Sequence, residues 1–120
     1  MPTATTARLT VSSHLKGREP RVAMIYERLL AKARTFGIVR EDPKKTSIHL
    51  ARATAFAGIA VQQKALVLTL RLAHDLGSAR VRRHEQASKN RWHVELKLES
   101  PAEVDSELAG WLREAYDLAG

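Results

Sequence analysis

Three side chains of this sequence have the types that hold an anion: Arg71 and the histidines His49 and His93. A guanidinium offers a planar pair of N–H donors that matches a carboxylate or a phosphate. Histidine, titrating near neutral pH, adds a further donor beside it. His93 also has Glu95 two residues on, a spacing that puts both on one face of a strand and gives the elements of acid–base chemistry. A second concentration of positive charge lies in Arg80-Val81-Arg82-Arg83-His84, with Lys89 and Arg91 following, and suits contacts to phosphates. Each group also has a plain structural reading. The first is then the wet face of an antiparallel sheet with opposite charges paired across strands, and the second a solvated loop.

Much other chemistry lacks its residues. There is no Gly-x-x-x-x-Gly-Lys-Ser/Thr loop and no Gly-x-Gly-x-x-Gly, so a glycine cradle for phosphates is not indicated. Gly77-Ser78-Ala79 is not a nucleophile elbow, which needs glycine two residues to either side of the serine. The five histidines, at 14, 49, 74, 84 and 93, form no His-Glu-x-x-His pair, and cysteine is absent. No catalytic residue, metal or cofactor is therefore assigned, and neither disulfides nor thiolate sites can form.

The elements that must position these groups follow from periodicity. Arg91-Trp92-His93-Val94-Glu95-Leu96-Lys97-Leu98 alternates polar and apolar residues, the pattern of a half-buried strand. Ser100-Pro101-Ala102-Glu103 then reads as a capping box with proline in the first helical turn, and Val104, Leu108, Trp111, Leu112, Ala115 and Leu118 form an apolar stripe behind it. Upstream, Gly17-Arg18-Glu19-Pro20 opens a first helix, whose buried face carries Val22, Ile25, Tyr26, Leu29, Leu30, Ala33 and Phe36 and which Gly37 ends. Glu41-Asp42-Pro43-Lys44 reads as a turn. Three strands are expected after it, over 46–52, 54–61 and 66–72, with a bulge or close approach at Gly58 and a hairpin connection at Gln62-Gln63-Lys64. Ala7–Ser12 can form a short extended segment, and 73–90 fits neither period and reads as a long connection.

Strand parity turns Lys45, Ser47, His49, Thr69, Arg71, His93 and Glu95 to one face and the large aliphatic residues to the other. Periodicity assigns Tyr26, Phe36, Trp92 and Trp111 to the core, leaving few rings on which bases could stack. Nucleic acid is thereby restricted to backbone contacts.

Net charge is +7 and unevenly placed: the C-terminal helix is acidic, whereas the N-terminal helix and the 80–91 segment are basic. An anionic partner is one consequence, and an acidic helix packed near a basic one is another. The longest apolar run, Ala55–Val61, falls far short of the roughly 18 residues of a bilayer span. The N-terminal stretch lacks the basic start and apolar core of a signal peptide, so a cytoplasmic location is expected.

Several short features in a fixed order carry a resemblance: Gly17-Arg18-Glu19-Pro20, Pro43-Lys44-Lys45-Thr46, Leu70-Arg71-Leu72, Arg82-Arg83 and His93. In these the chain, from Leu9 to Leu118, resembles a bacterial family of domains of unknown function sometimes labelled a predicted transport protein. Its members occur alone or attached to other domains, nuclease-like ones included. Where the family tends to place aromatics, before the opening glycine and in the first strand, this chain has Leu15-Lys16 and His49-Leu50.

The expected architecture is α+β: a four-stranded antiparallel sheet with two helices on one face, in the order α-β-β-β-(long connection)-β-α. Residues 1–16 are expected as a partly ordered arm and 17–120 as one domain. The expected function is a non-enzymatic binding module for a phosphate-bearing ligand or a nucleic-acid backbone, through Lys45, His49, Arg71, Arg82, Arg83 and His93. The alternatives are a protein–protein or homodimerisation module pairing through a sheet edge, and a small enzyme using His93.

Overall fold

Apolar alternation on the strands and apolar stripes on two helices give this chain a two-layer solution, seen in a computed structural model that describes residues 10–120. In chain order the elements are α1 (Val11–Leu15), α2 (Pro20–Arg34), β1 (Arg40–Pro43), β2 (Ile48–Ala51), β3 (Ala55–Val61), β4 (Leu66–Leu72), β5 (Arg83–Ser88), β6 (Arg91–Leu98) and α3 (Ser106–Leu118). A single 3-10 turn, Pro101–Glu103, precedes α3. The strands make one antiparallel sheet in the order β1-β2-β3-β4-β6-β5. The core lies between the helices and the aliphatic face of the inner strands. Ile25 and Leu29 of α2 and Leu108 and Leu112 of α3 are buried there with Ile48, Ile59, Leu68, Leu70, Val94 and Leu96. No helix of the described residues is long and apolar enough to cross a membrane.

The α+β class, the antiparallel pairing and the four inner strands match expectation, but the sheet has six strands rather than four. The extra two are both edges. Arg40–Pro43, read from Asp-Pro as a turn, is β1, paired residue for residue with β2 from Arg40↔Ala51 to Pro43↔Ile48. Proline is tolerated at the end of an edge strand, where its missing N–H interrupts no central ladder. The reversal falls one step later, where the Lys44 N–H donates to the Ser47 carbonyl at 2.7 Å. The other edge, β5, lies inside the expected long connection. Each of its six side chains is exposed, so it has no apolar alternation to betray it, and pairing to β6 supplies its order.

Other boundaries shift for local reasons. Ser100 and Glu103 do form a capping box, but it closes the 3-10 turn, and Asp105 caps α3 by accepting from the Leu108 N–H at 3.0 Å. Of the expected arm, residues 1–9 lie outside the described part. Thr10 is extended and caps α1 by accepting from the Ser13 N–H, so Val11 and Ser12 are helical instead of extended. The irregularity of β3 is not at Gly58. Leu50 pairs with Ala57 but Ala51 with Ala55, which leaves Phe56 as the extra residue of a bulge. That bulge lets Phe56 reach the core and pack edge-on against Tyr116 of α3, ring centroids 5.3 Å apart. Of the four aromatics assigned to the core, Tyr26 is fully buried, while Phe36, Trp92 and Trp111 are half-buried at its margin. Gly37 does follow the end of α2. It has φ +153°, and a Cβ there would collide with the Tyr116 hydroxyl, which donates to the Ile38 carbonyl at 3.1 Å.

Candidate functional site

The face of the sheet turned away from the helices is organised by register. One row crosses every strand: Asp42, His49, Gly58, Thr69, Glu95 and Arg83 are successive cross-strand partners. The next row carries Arg71 of β4, His93 of β6 and Glu85 of β5. Directly opposed residues have Cβ atoms about 4.5–5.5 Å apart, so Arg71 and His93 share one patch of surface. Strand alternation produces these rows. The intervening Leu68, Leu70, Val94 and Leu96 must face the helices, which sends their neighbours outward.

Gly58 shapes what lies between the rows. With no side chain between His49 and Thr69, it leaves a shallow hollow of about 220 Å³ lined by Ser47, His49, Thr69, Arg71 and His93. A Cβ at Gly58 would stand 3.9 Å from both His49 Cδ2 and Thr69 Cβ, ordinary van der Waals contact. The backbone therefore does not demand glycine here; what glycine contributes is the open space. His49 is half-buried, and burial is the main influence holding its pKa below the ordinary histidine value, with the nearby charges of Arg71 and Lys44 adding to it. Asp42, its partner on β1, acts in the opposite sense but is itself bonded to Lys44 at 2.9 Å. The imidazole is therefore neutral at pH 7, and a bound negative charge would favour its protonation. Among the described residues, Arg71 and His93 make no side-chain hydrogen bond or ion pair, so the donors of Arg71 are open to a ligand.

The structure thus brings His49, Arg71 and His93 together, places Lys45 and Arg82 apart from them and sets Arg83 beside His93 alone. Lys45 is exposed in the β1–β2 turn, beyond the hollow. Arg82 lies against Glu95: its Nε is 3.4 Å from Glu95 Oε1, and its backbone N–H donates to the Glu95 carbonyl at 2.9 Å. Arg83 lines a smaller hollow, about 140 Å³, shared with Thr69, Glu85, His93 and Glu95. Part of the basic cluster around them is engaged within the protein. Arg80 bonds Asp105 and Glu107 at 3.0 Å and the Glu103 carbonyl at 2.7 Å, with its guanidinium over the Trp111 ring. His84 meets Asp75 at 2.6 Å and stacks on Trp92.

Sequence reasoning missed two members of this surface. Gly58 entered as a backbone irregularity, whereas it opens the floor of the hollow. Arg91 has the same strand parity as His93 and, with it and Arg71, lines a further hollow of about 250 Å³ at the rim of the sheet. Parity was the signal for Arg91, and its place at the strand end hid it. Among the described residues no three His, Asp or Glu side chains converge on a point that would hold a metal ion.

A family model described as a domain of unknown function, DUF5655, matches residues 11–119, and the chain belongs to that family. No curated protein and no solved structure matches the chain.

Proposed function

We propose that this DUF5655 domain is a non-enzymatic binding module whose open sheet face takes a compact anion, a carboxylate or a phosphate, at Arg71 between His49 and His93. The observation that carries the reading is the hollow over Gly58, in which these three side chains meet. Arg71 supplies the fixed charge and a planar pair of donors. His49 supplies a donor whose charge the ligand itself favours, and His93 a further hydrogen-bonding group. Lys45 at the nearby turn and Arg83 on the outer row add attraction at longer range, and Arg82 adds to it against the competition of Glu95. Catalysis by His93 has less support, since Glu95 beside it already faces Arg82. The absence of cysteine suits a reducing, cytoplasmic setting.

A compact ligand suits this face better than a nucleic-acid backbone. Glu85 and Glu95 lie directly opposite His93 and Arg83 and interrupt any continuous positive stripe along which phosphates could run. One observation favours a second reading, homodimerisation: β5 is an edge strand with every side chain in solvent, open to pairing with another copy. Light scattering that finds a monomer at high protein concentration would remove it.

Calorimetric titration with inorganic phosphate and with acetate tests the main reading. Wild type should bind, and Arg71→Ala should not. Binding that survives Arg71→Ala would place the anion elsewhere.

A further inference from the structure

Arg71 and His93 border two hollows. Beyond the one over Gly58, both line the larger rim hollow of about 250 Å³. Its far wall is of another kind, formed by Ala115 and Leu118 from the last turn of α3 and Ala119 just beyond it. Both bulges of the sheet flank it. On one side the extra residue Phe56 turns into the core and leaves Ala55 at the hollow. On the other, the shift between Gln86 and Ser88 makes Ala87 the extra residue of β5, and Ala87 lines the hollow as well. Bulges re-aim side chains and splay a ladder, and they are common beside functional sites. Here they stand on either side of β4 and β6, and each bulge presents an alanine, Ala55 or Ala87, to the hollow.

The end of α3 is held in place, since the Ala119 carbonyl accepts from the N–H groups of Ala53 and Thr54 at 3.2 Å. A helix C-terminus carries partial negative charge and disfavours a second anionic group there. Positive charge therefore lies on one side of the combined space, at Arg71 and Arg91, and an uncharged wall of Ala115, Leu118 and Ala119 on the other.

We infer that the ligand of this site has one anionic head, held at Arg71 and His93, and one short apolar arm that lies in the rim hollow against α3. This rests on the anion reading above and narrows it to a class: short-chain aliphatic carboxylates or the phosphate monoesters of short alcohols. Joined at Arg71 and His93, the two hollows approach the roughly 300–1,000 Å³ typical of small-molecule sites.

The test is a chain-length series of acetate, butyrate and hexanoate, with butyl phosphate and inorganic phosphate to separate the two head groups. It is followed through the amide resonances of Gly58, Thr69, Ala115 and Ala119. Each methylene entering the hollow should tighten binding roughly threefold to fourfold until the space is filled. The longer ligands should shift Ala115 and Ala119, whereas acetate should not. Ala87→Leu, at an exposed position, fills the hollow and should abolish the chain-length gain, read as the ratio of hexanoate to acetate affinity. Leu118→Ala should reduce the gain by removing part of the wall. Acetate or phosphate binding without any chain-length gain would overturn the arm and leave the anion site standing. A gain that persists in both variants would also overturn it. If none of these ligands binds wild type, the anion reading itself falls and takes this one with it.

Discussion

The basic groups of the open sheet face and those of β5 and the segment before it are used in different ways. Around β5 and the segment before it, half of the cations are matched with acids among the described residues, Arg80 with Asp105 and Glu107, Arg82 with Glu95 and His84 with Asp75, and Arg83, Lys89 and Arg91 are not. On the inner side, Arg71 and His93 make no ion pair among the described residues, and His49 is half-buried between cations instead of beside a free acid. Density of charge along the chain pointed to the outer side. Pairing in space points to the inner one. A cation already bonded to a carboxylate must break that bond to meet a ligand, whereas an unpaired one on an ordered strand is available at once.

The largest effect that can break this contrast is on binding. Arg71→Ala should lower affinity for a small anion by tenfold or more, because charge-assisted bonds contribute about 1.5–3 kcal/mol each. Its melting temperature should stay near wild type, since the side chain is exposed. Equal loss of stability and binding would mean that Arg71 is structural. Next comes Arg80→Ala, with the opposite profile. It removes bonds to two acids and to the Glu103 carbonyl that tie the connection before β5 to the start of α3. The cost should be about 1–2 kcal/mol, discounted for solvent access. Denaturant unfolding reads it, and anion affinity should not move.

Gly58→Val sharpens the comparison at intermediate size. The new side chain meets only ordinary contacts at its Cβ, and a β-branched residue suits a strand, so stability should hold or rise by up to about 1 kcal/mol. Affinity should nonetheless fall because the hollow is filled. A variant that binds as well as wild type would show that the space over Gly58 is not used.

The smallest effect is on pH. Burial first, and then the charges of Arg71 and Lys44, hold His49 below the ordinary histidine value of about 6.5. The free protein therefore keeps it neutral as pH falls, while a bound carboxylate favours its protonation. Acetate affinity should rise severalfold as pH is lowered from 7.5 toward 6, with uptake of a fraction of a proton on binding. Without ligand the sign is reversed for stability. A depressed histidine binds fewer protons folded than unfolded, so its contribution is present above about 6.5 and declines below it. His49→Gln should flatten the affinity profile, and a slope that persists in it would assign the proton to another group.

What could be read from the chain depended on whether burial leaves a pattern. The strand Arg91–Leu98 was legible to the residue, because alternate positions must enter the core. Strands Ala55–Val61 and Leu66–Leu72 were legible for the same reason. The edge β5, Arg83-His84-Glu85-Gln86-Ala87-Ser88, buries nothing and is specified by a partner strand, so no local period could reveal it. β1 was hidden by Asp42-Pro43, a turn signal that an edge strand also tolerates. At the site, parity brought Arg71, His49 and His93 to one face correctly. It could not show that Arg82 spends its charge on Glu95, since that depends on the register of a strand the sequence concealed. Nor could it show that Gly58 opens space, because a missing side chain has meaning only once its neighbours are fixed.

The central claim is that the unpaired inner cations, not the crowded outer ones, meet the ligand. Amide-detected titration of wild type, Arg71→Ala and the double variant Arg82→Ala/Arg83→Ala with acetate tests it most directly. The account predicts saturable shifts centred on Gly58, Thr69, Arg71 and His93, lost in Arg71→Ala and retained in the double variant with affinity within about twofold, as expected for peripheral charges. Shifts centred on residues 82–91 that survive Arg71→Ala and vanish in the double variant would contradict it.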